Sequence, residues 1–548
     1  MLTSNFGLTR RSFLQGTAAT LGASALPLPV RAAQGTAKYR RYNAMSPAGQ
    51  KALASYAKGV EAMLKLPADH PQNWFRNAFI HLMDCPHGNW WFYFWHRGYL
   101  GYFEQTIRNL SGDPTFAIPY WDWTTLPQIP DSMFTGVLTP QDMGFDQYTH
   151  NLAVFTDFMK TALNAHWDSL NAAQRAQLNT RGYSDFSKLW NDVTGYDPSQ
   201  QAGISSNMAF SDTCNSRYLT RANPKLDDKT AFDVSELIIY AALLPTDFHN
   251  PEPYLSFASS KTQSHNTPAG KNTAFSVLEG LPHNKIHNCI GGVGPLDPGP
   301  YGCMPNYLSS VDPIFFLHHS NMDRLWDVWT RKQKLLRLPY LPIGPDLQTL
   351  SSEPFLFYVN GDGNYVGTSQ AGNYLTTDKF DYDYEPGFGE KITESESANA
   401  RRTALHATPG VRGAVQANTA SVVIPSASIK SHLASETESS LIAEITLPRP
   451  SPTSSMREFD VLVGAPASLT AAGADSPYYA GTVAFFGKTM DMDGMGATAT
   501  FAIPLPKKAQ AFHNFEATSN VSVEIRVVPS HGQHEKAPAL SGAVVRIL

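Results

Sequence analysis

Apolar residues recur at three- and four-residue spacing over residues 46–65, 72–84, 96–110, 150–178, 233–243 and 313–334, the period of amphipathic helices. Pro- and Gly-rich joints separate these runs, among them Gly291-Gly292-Val293-Gly294-Pro295 and Asp297-Pro298-Gly299-Pro300. From about residue 415 the pattern changes. Short strand-like runs recur at 421–424, 441–447, 459–463, 482–486, 498–503 and 521–528, punctuated by turn-forming residues. Residues 34–390 therefore read as a mainly α domain with long loops, residues 391–414 as a linker, and residues 415–548 as an all-β sandwich. No internal repeat is visible.

Composition narrows this picture. A chain of 548 residues, 42% hydrophobic and 16% charged, can bury a large core and reads as globular. The net charge of −5 gives no basic footprint, so no nucleic-acid partner is expected. No continuous apolar run reaches membrane-spanning length, so no stable membrane insertion is expected. Thr9-Arg10-Arg11-Ser12-Phe13-Leu14-Gln15 reads as a twin-arginine export motif. The apolar run after it and Val30-Arg31-Ala32-Ala33 complete a signal over residues 1–33. The twin-arginine translocation machinery is then a partner, and the destination is the periplasm or the exterior. That route carries folded, often cofactor-loaded proteins. Four cysteines (Cys85, Cys214, Cys289, Cys303) are too few for a disulfide scaffold, and whether Cys289 and Cys303 pair stays open.

The chemistry lies in two histidine clusters. His81, His87 and His96 fall within sixteen residues. His87 and His96, nine apart, would point to opposite faces of a single helix, about 900° around. Pro86 and Gly88 break the chain between them. His81 thus ends one helix, His87 sits in a loop and His96 opens the next helix. Downstream, His283 and His287 are spaced i, i+4 and share a helix face. In the run Asp312 to Trp326, Asp312 reads as an N-cap and Pro313 as the first helical residue. His318 and His319 project about 100° apart, so one of the two joins His283 and His287. Asp323, one turn past His319, is placed to anchor an imidazole nitrogen or to pair with an arginine. Three plus three imidazoles without thiolate or carboxylate suit copper better than structural zinc.

These segments resemble the tyrosinase and catechol oxidase family, the type-3 copper proteins that also include molluscan haemocyanins. The resemblance rests on His87 through Glu104, Pro119-Tyr120-Trp121-Asp122-Trp123, Pro282 through His287 followed by Gly291-Gly292, and Asp312 through Trp326. It implies a four-helix bundle holding two copper ions, with His81, His87 and His96 on copper A and His283, His287 and His319 on copper B. The family pattern takes the second histidine of the pair, which leaves out His318. Cys85-Pro86-His87 resembles the arrangement in which a cysteine forms a thioether to a ligand imidazole. Tyr382-Asp383-Tyr384 resembles the motif that closes the catalytic core, against which Arg40 or Arg41 would pack. Arg457 to Val461 and Tyr478 to Gly481 resemble the C-terminal domain of plant polyphenol oxidases, which shields the copper site until it is removed. One departure is Phe92-Tyr93-Phe94-Trp95 before His96, where the family usually carries Phe-Leu-Pro-Trp.

The resemblance implies copper-dependent oxidation of small phenols, with O2 as co-substrate. Monophenols would be hydroxylated at the ortho position and o-diphenols oxidised to o-quinones, after an activating protease displaces the C-terminal domain. Glu279 is similar to the residue that holds a water near copper B, and Asn284 to the one that orients that water as a base. Two other readings stand beside this one: a catechol oxidase without monophenolase activity, and a haemocyanin-like O2 binder. Met490, Met492 and Met495 lie in a Gly/Asp-rich loop. Thioethers suit Cu(I), but a surface or packing loop is the plainer reading.

Overall fold

The computed structural model describes residues 37–194, 217–267, 270–292, 302–306, 308–393, 410–435, 440–450, 457–487, 497–530 and 537–548. Five helices position the histidines. Helix α1 (Pro47–Lys65) is capped by Ser46, which accepts from the Gly49 N–H, with Pro47 at the first helical position. It buries Leu53, Tyr56, Val60 and Met63 as one stripe. Helix α2 (Trp74–Asp84) is buried along its whole length, as is helix α3 (Phe92–Ser111) from Phe92 to Glu104. Helix α4 (Asn284–Gly291) continues a π-helical turn over Glu279–His283. Pro282 lies inside that turn, where its missing N–H and ring bulk are incompatible with the tighter α ladder. Helix α5 (Ile314–Leu336) crosses the centre of the core.

Local capping moves several expected boundaries. Helix α3 starts at Phe92, because Asn89 turns the chain by accepting from the Trp91 N–H (3.0 Å). His96 therefore sits one turn inside the helix rather than opening it. The run 150–178 is two helices, Leu152–Ser169 and Ala172–Thr180, split where Asn171 and Gln174 form a capping box. The run 233–243 forms its helix only from Glu236 to Leu243, after a separate short helix, Asp228–Asp233. Pro313 precedes helix α5 rather than opening it, and Asp312 accepts from the Ile314 N–H (3.0 Å).

Strand β1 (Tyr39–Arg41) pairs in parallel with β3 (Tyr382–Tyr384) and joins the two ends of the helical core. The remaining strands build two five-stranded sheets, a sandwich. The first has the order β2 (Asn272–Phe275), β10 (Thr498–Pro504), β7 (Leu441–Pro448), β12 (Gly542–Ile547), β4 (Val411–Arg412). The second has the order β5 (Ala414–Gln416), β6 (Thr419–Pro425), β11 (Asn520–Pro529), β8 (Glu458–Val463), β9 (Tyr479–Ala484). Strand β9 ends at Ala484, so Phe485 and Phe486 lie beyond it, two residues short of the strand expected from sequence.

The sandwich is not separate from the helical core. Strand β2 comes from the helical part of the sequence and pairs in parallel with β10, where Phe275 stacks on Phe501 at 5.0 Å. Strand β6 alternates buried and exposed residues, but every residue of β8 and β9 is buried. One face of β8 and β9 meets the opposing sheet and the other meets the helical core. Residues Lys38–Leu548 form one compact unit. Among the described residues, no helix is long and apolar enough to cross a membrane. Cys85 and Cys289 are buried free thiols, so Cys289 and Cys303 are not paired with each other. The export signal, most of the linker, Cys214 and the three loop methionines lie outside the described residues.

Candidate metal centre

The first group comprises His81 from the last turn of α2, Cys85 and His87 from the following loop, and His96 from α3; their donor atoms lie within 4.8 Å of one another. The loop turns at Gly88, whose φ of +67° suits glycine and whose Cβ would stand 2.5 Å from Thr273 of β2. The Cys85 Sγ lies 3.6 and 3.7 Å from the two ring nitrogens of His87 and 3.4 Å from His96 Nε2. Burial pushes its thiol well above the ordinary value.

The second group is His283 and His287 from the π-turn and α4, with His318 and His319 from α5, also within 4.8 Å. Both members of the His318-His319 pair reach this group. His319 Nε2 lies 3.2 Å from His287 Nε2, and its ring stacks on His96 of the first group at 4.0 Å. The His318 ring faces His283, His287 and Trp123 at 5.3, 4.8 and 4.9 Å.

The protonation pattern suits metal binding. Burial, assisted by neighbouring imidazoles, holds His87, His96, His287, His318 and His319 well below the ordinary histidine range. Burial brings His283 to about 3 against the opposing hydrogen bond to Asn284. A neutral imidazole has one N–H and one lone pair. His96 Nδ1 donates to the Phe92 carbonyl (2.8 Å), His287 Nδ1 to the Met304 carbonyl (2.7 Å) and His283 Nδ1 to Asn284 Oδ1 (2.9 Å). Each bond fixes the tautomer that leaves the Nε2 lone pair facing the group. His283 Nε2, His319 Nδ1 and both His318 nitrogens are buried without a hydrogen-bond partner. Two clusters of buried imidazoles, the second with orphaned ring nitrogens, fit two copper ions.

Other groups expected at the site take definite places. Asp323 touches no histidine. It accepts from Arg97 (2.8 Å), Arg41 (3.0 Å), Tyr384 (2.6 Å) and Tyr382. Arg41 is the arginine stacked on Tyr382, at 3.7 Å, while Arg40 pairs with Asp383. The buried Glu279 carboxylate accepts from the Gly88 N–H (2.5 Å) and the Ser259 hydroxyl, and burial raises it to about 7. The Asn284 side-chain amide donates to the Ala484 carbonyl of β9 (2.7 Å).

One residue escaped the sequence reading. Two residues past the end of β9, the Phe486 ring lies 4.3 Å from His287, 4.6 Å from His87 and 5.4 Å from His283. It packs on ligand candidates from both groups. The aromatic doublet Phe485-Phe486 before Gly487 was the available signal, hidden inside an ordinary strand pattern.

A helical core with two buried imidazole clusters, covered by a β-sandwich, is suited to a dinuclear copper centre. Residues 62–332 match the family model described as the common central domain of tyrosinase. Through that domain the chain belongs to the tyrosinase family of type-3 copper proteins. It is similar to polyphenol oxidase II of Ipomoea batatas, with 25% identity over 292 residues, 50% of this chain and 39% of that one. It is also similar to aureusidin synthase of Antirrhinum majus, with 23% identity over 296 residues, 50% of this chain and 40% of that one. The chain thus spans about two-fifths of the length of these curated relatives. Among solved structures, it resembles a recombinantly expressed latent aurone synthase (polyphenol oxidase), with TM-score 0.54 and 20% identity, covering 93% of this chain and 90% of that one.

Proposed function

We propose that the protein is a copper-dependent phenol oxidase, latent in the conformation described, that hydroxylates monophenols at the ortho position and oxidises o-diphenols to o-quinones with O2. The observation that carries this reading is the Phe486 ring, seated within 5.4 Å of histidines from both groups. An aromatic side chain stands where the ring of a phenol would have to stand. Copper held by His81, His87 and His96 and by His283, His287 and His319 would supply the O2 binding and electron chemistry.

The protein's own groups do the rest. The carbonyl and amide anchors at Nδ1 of His96, His287 and His283 keep each imidazole oriented. The aromatic packing around them excludes water. Glu279 and Asn284 are read as the pair that polarises a water to take the phenol proton. A carboxyl raised to about 7 exchanges protons near neutrality. Asn284 is tied to Ala484, so withdrawal of β9 with Phe486 would free its amide as well as open the pocket. Cys85 is read as a thioether partner of His87. The S–C bond would form with loss of the thiol and ring hydrogens as two protons and two electrons, accepted by O2. Its signature is a proteolytic peptide lacking two hydrogens.

The catechol-oxidase reading is favoured by one observation: both Glu279 oxygens are already engaged, by Gly88 and Ser259. Oxygen uptake by intact and protease-nicked, copper-loaded protein, with a monophenol and with a catechol, tests the proposal. Turnover of both after nicking is expected. Turnover of catechol alone selects the second reading, and O2 binding without turnover rejects both. Asn284→Ala should lower the monophenol rate far more than the catechol rate. Equal losses would remove Asn284 from proton transfer.

A further inference from the structure

We propose that Asp84 is a positioning residue for the first histidine group, acting with His265 and Glu353 as a buried bracket that holds the segment from His81 to His87 against the helix carrying His96. The inference rests on the reading that this group binds copper.

Asp84 is the last residue of α2, three residues after His81, and immediately precedes Cys85. Its Oδ2 accepts from the indole N–H of Trp95 (2.8 Å), the residue before His96. Its Oδ1 lies 2.9 Å from His265 Nε2, and the Gln177 side-chain amide donates to the same oxygen (2.8 Å). His265 Nδ1 in turn meets Glu353 Oε1 at 2.5 Å. The amides of Gln177 and Asn266 pack beside His265 Nε2 at 2.8 and 3.0 Å. A second arm joins at the same point: Arg181 donates to the Cys85 carbonyl (2.7 Å) and to Asn266 Oδ1 (3.1 Å).

Asp84, Trp95, His265 and Glu353 are all buried. An imidazole facing a carboxylate at each nitrogen donates two N–H bonds and carries a positive charge. Burial opposes that charge, but Asp84 and Glu353 outweigh it and hold His265 above its ordinary value. Enclosing these ionisable groups is unfavourable relative to apolar filling, so stability alone is a poor reason for them. Geometry is a better one. Asp84 touches every element that delivers a first-group histidine: its own helix with His81, the peptide leading through Cys85 to His87, and, through Trp95, the helix of His96.

The test is stepwise copper binding by the full-length protein against a competing chelator, beside thermal melting. Wild type should take up two copper ions in two resolvable steps; failure of wild type to do so overturns the copper reading itself. Asp84→Asn should weaken one step only, by about tenfold, the lower end for loss of an outer-shell partner. Glu353→Gln leaves Asp84 and every histidine intact and should weaken the same step by a smaller factor. If Asp84→Asn does not fold, Glu353→Gln decides. Wild-type affinity at both steps, or equal weakening of both, overturns the proposal, because a merely structural bracket would not distinguish the two sites.

Discussion

The two histidine groups are braced from opposite sides. The first is held from within the helical core, by the Phe92 carbonyl and by Asp84 with Trp95 and His265. The second is held by the sandwich. Lys285, between His283 and His287, pairs with Glu458 of β8 at 2.6 Å, both groups buried. Asn288 donates to Glu458 (3.1 Å) and to the Phe485 carbonyl (3.3 Å), and Asn284 to the Ala484 carbonyl. Nearby, Lys229 pairs with Asp460 at 2.6 Å, and the Thr482 N–H donates to the buried Asp233. A lid that merely covered a pocket would need only apolar contact. This one shares a buried charged pair, Lys285–Glu458, with the helical segment carrying two ligand candidates, so the sandwich is part of the scaffold of the second group. Moving Phe486 and disturbing the second group are therefore coupled.

The sharpest way to break this comparison is Phe486→Ala. Removing a phenylalanine from a packed site costs about 3–5 kcal/mol, which shifts a closed-to-open balance by roughly a hundredfold or more. Catechol oxidation by intact, copper-loaded protein should rise by about that factor toward the nicked level. No rise would mean that access is controlled elsewhere. Next comes Glu458→Leu, which removes the direct partner of the buried Lys285, leaving it only Asp227 and Asp233, and should cost about 3 kcal/mol in thermal or denaturant unfolding. The double variant Lys285→Met, Glu458→Leu should recover part of that loss, because an apolar pair replaces the direct ion pair, while the buried Asp227 and Asp233 lose the lysine's charge. If the sandwich scaffolds the second group, the single variant also loses copper from one site, and the double variant regains it.

Much of this site was legible in the sequence, and the residues explain why. His81, His87 and His96 announce separate elements because Pro86 and Gly88 must break the chain, and His283 with His287 announces a shared face because i, i+4 spacing is local. The start of α3 was misplaced because Asn89, not the apolar period, sets it. Phe486 was invisible as a neighbour of both histidine groups because a phenylalanine beyond a strand reads as core wherever it points. Strand β2 and the His265–Glu353 pairing are contacts across the fold. They join residues whose neighbours in sequence give no periodic signal, and only the packed structure brings them together.

The smallest expected effect separates the two braces by pH. His265 lies above its ordinary value of 6.5, so the stability it gains from its carboxylates is complete below 6.5 and is lost as pH rises through its raised value. Glu353 lies below its ordinary value of 4.5. Although burial opposes its charge, the hydrogen bond and charge of His265 prevail, so its contribution is present above 4.5 and is lost as pH falls through its lowered value. The first brace should therefore be strongest between 4.5 and 6.5 and weaken on either side. Lys285 stays charged through that range and beyond, because Glu458, Asp227 and Asp233 outweigh its burial. Its protonation adds no transition there. In melting curves of the intact protein, Glu353→Gln should flatten the pH dependence around this window by on the order of 1 kcal/mol. The Lys285→Met, Glu458→Leu variant should instead steepen the loss of stability as pH rises, because burial already holds Asp233 above its ordinary range and Lys285 no longer opposes it. If both variants changed the profile alike, the two groups would share one brace, and the contrast drawn between them would fail.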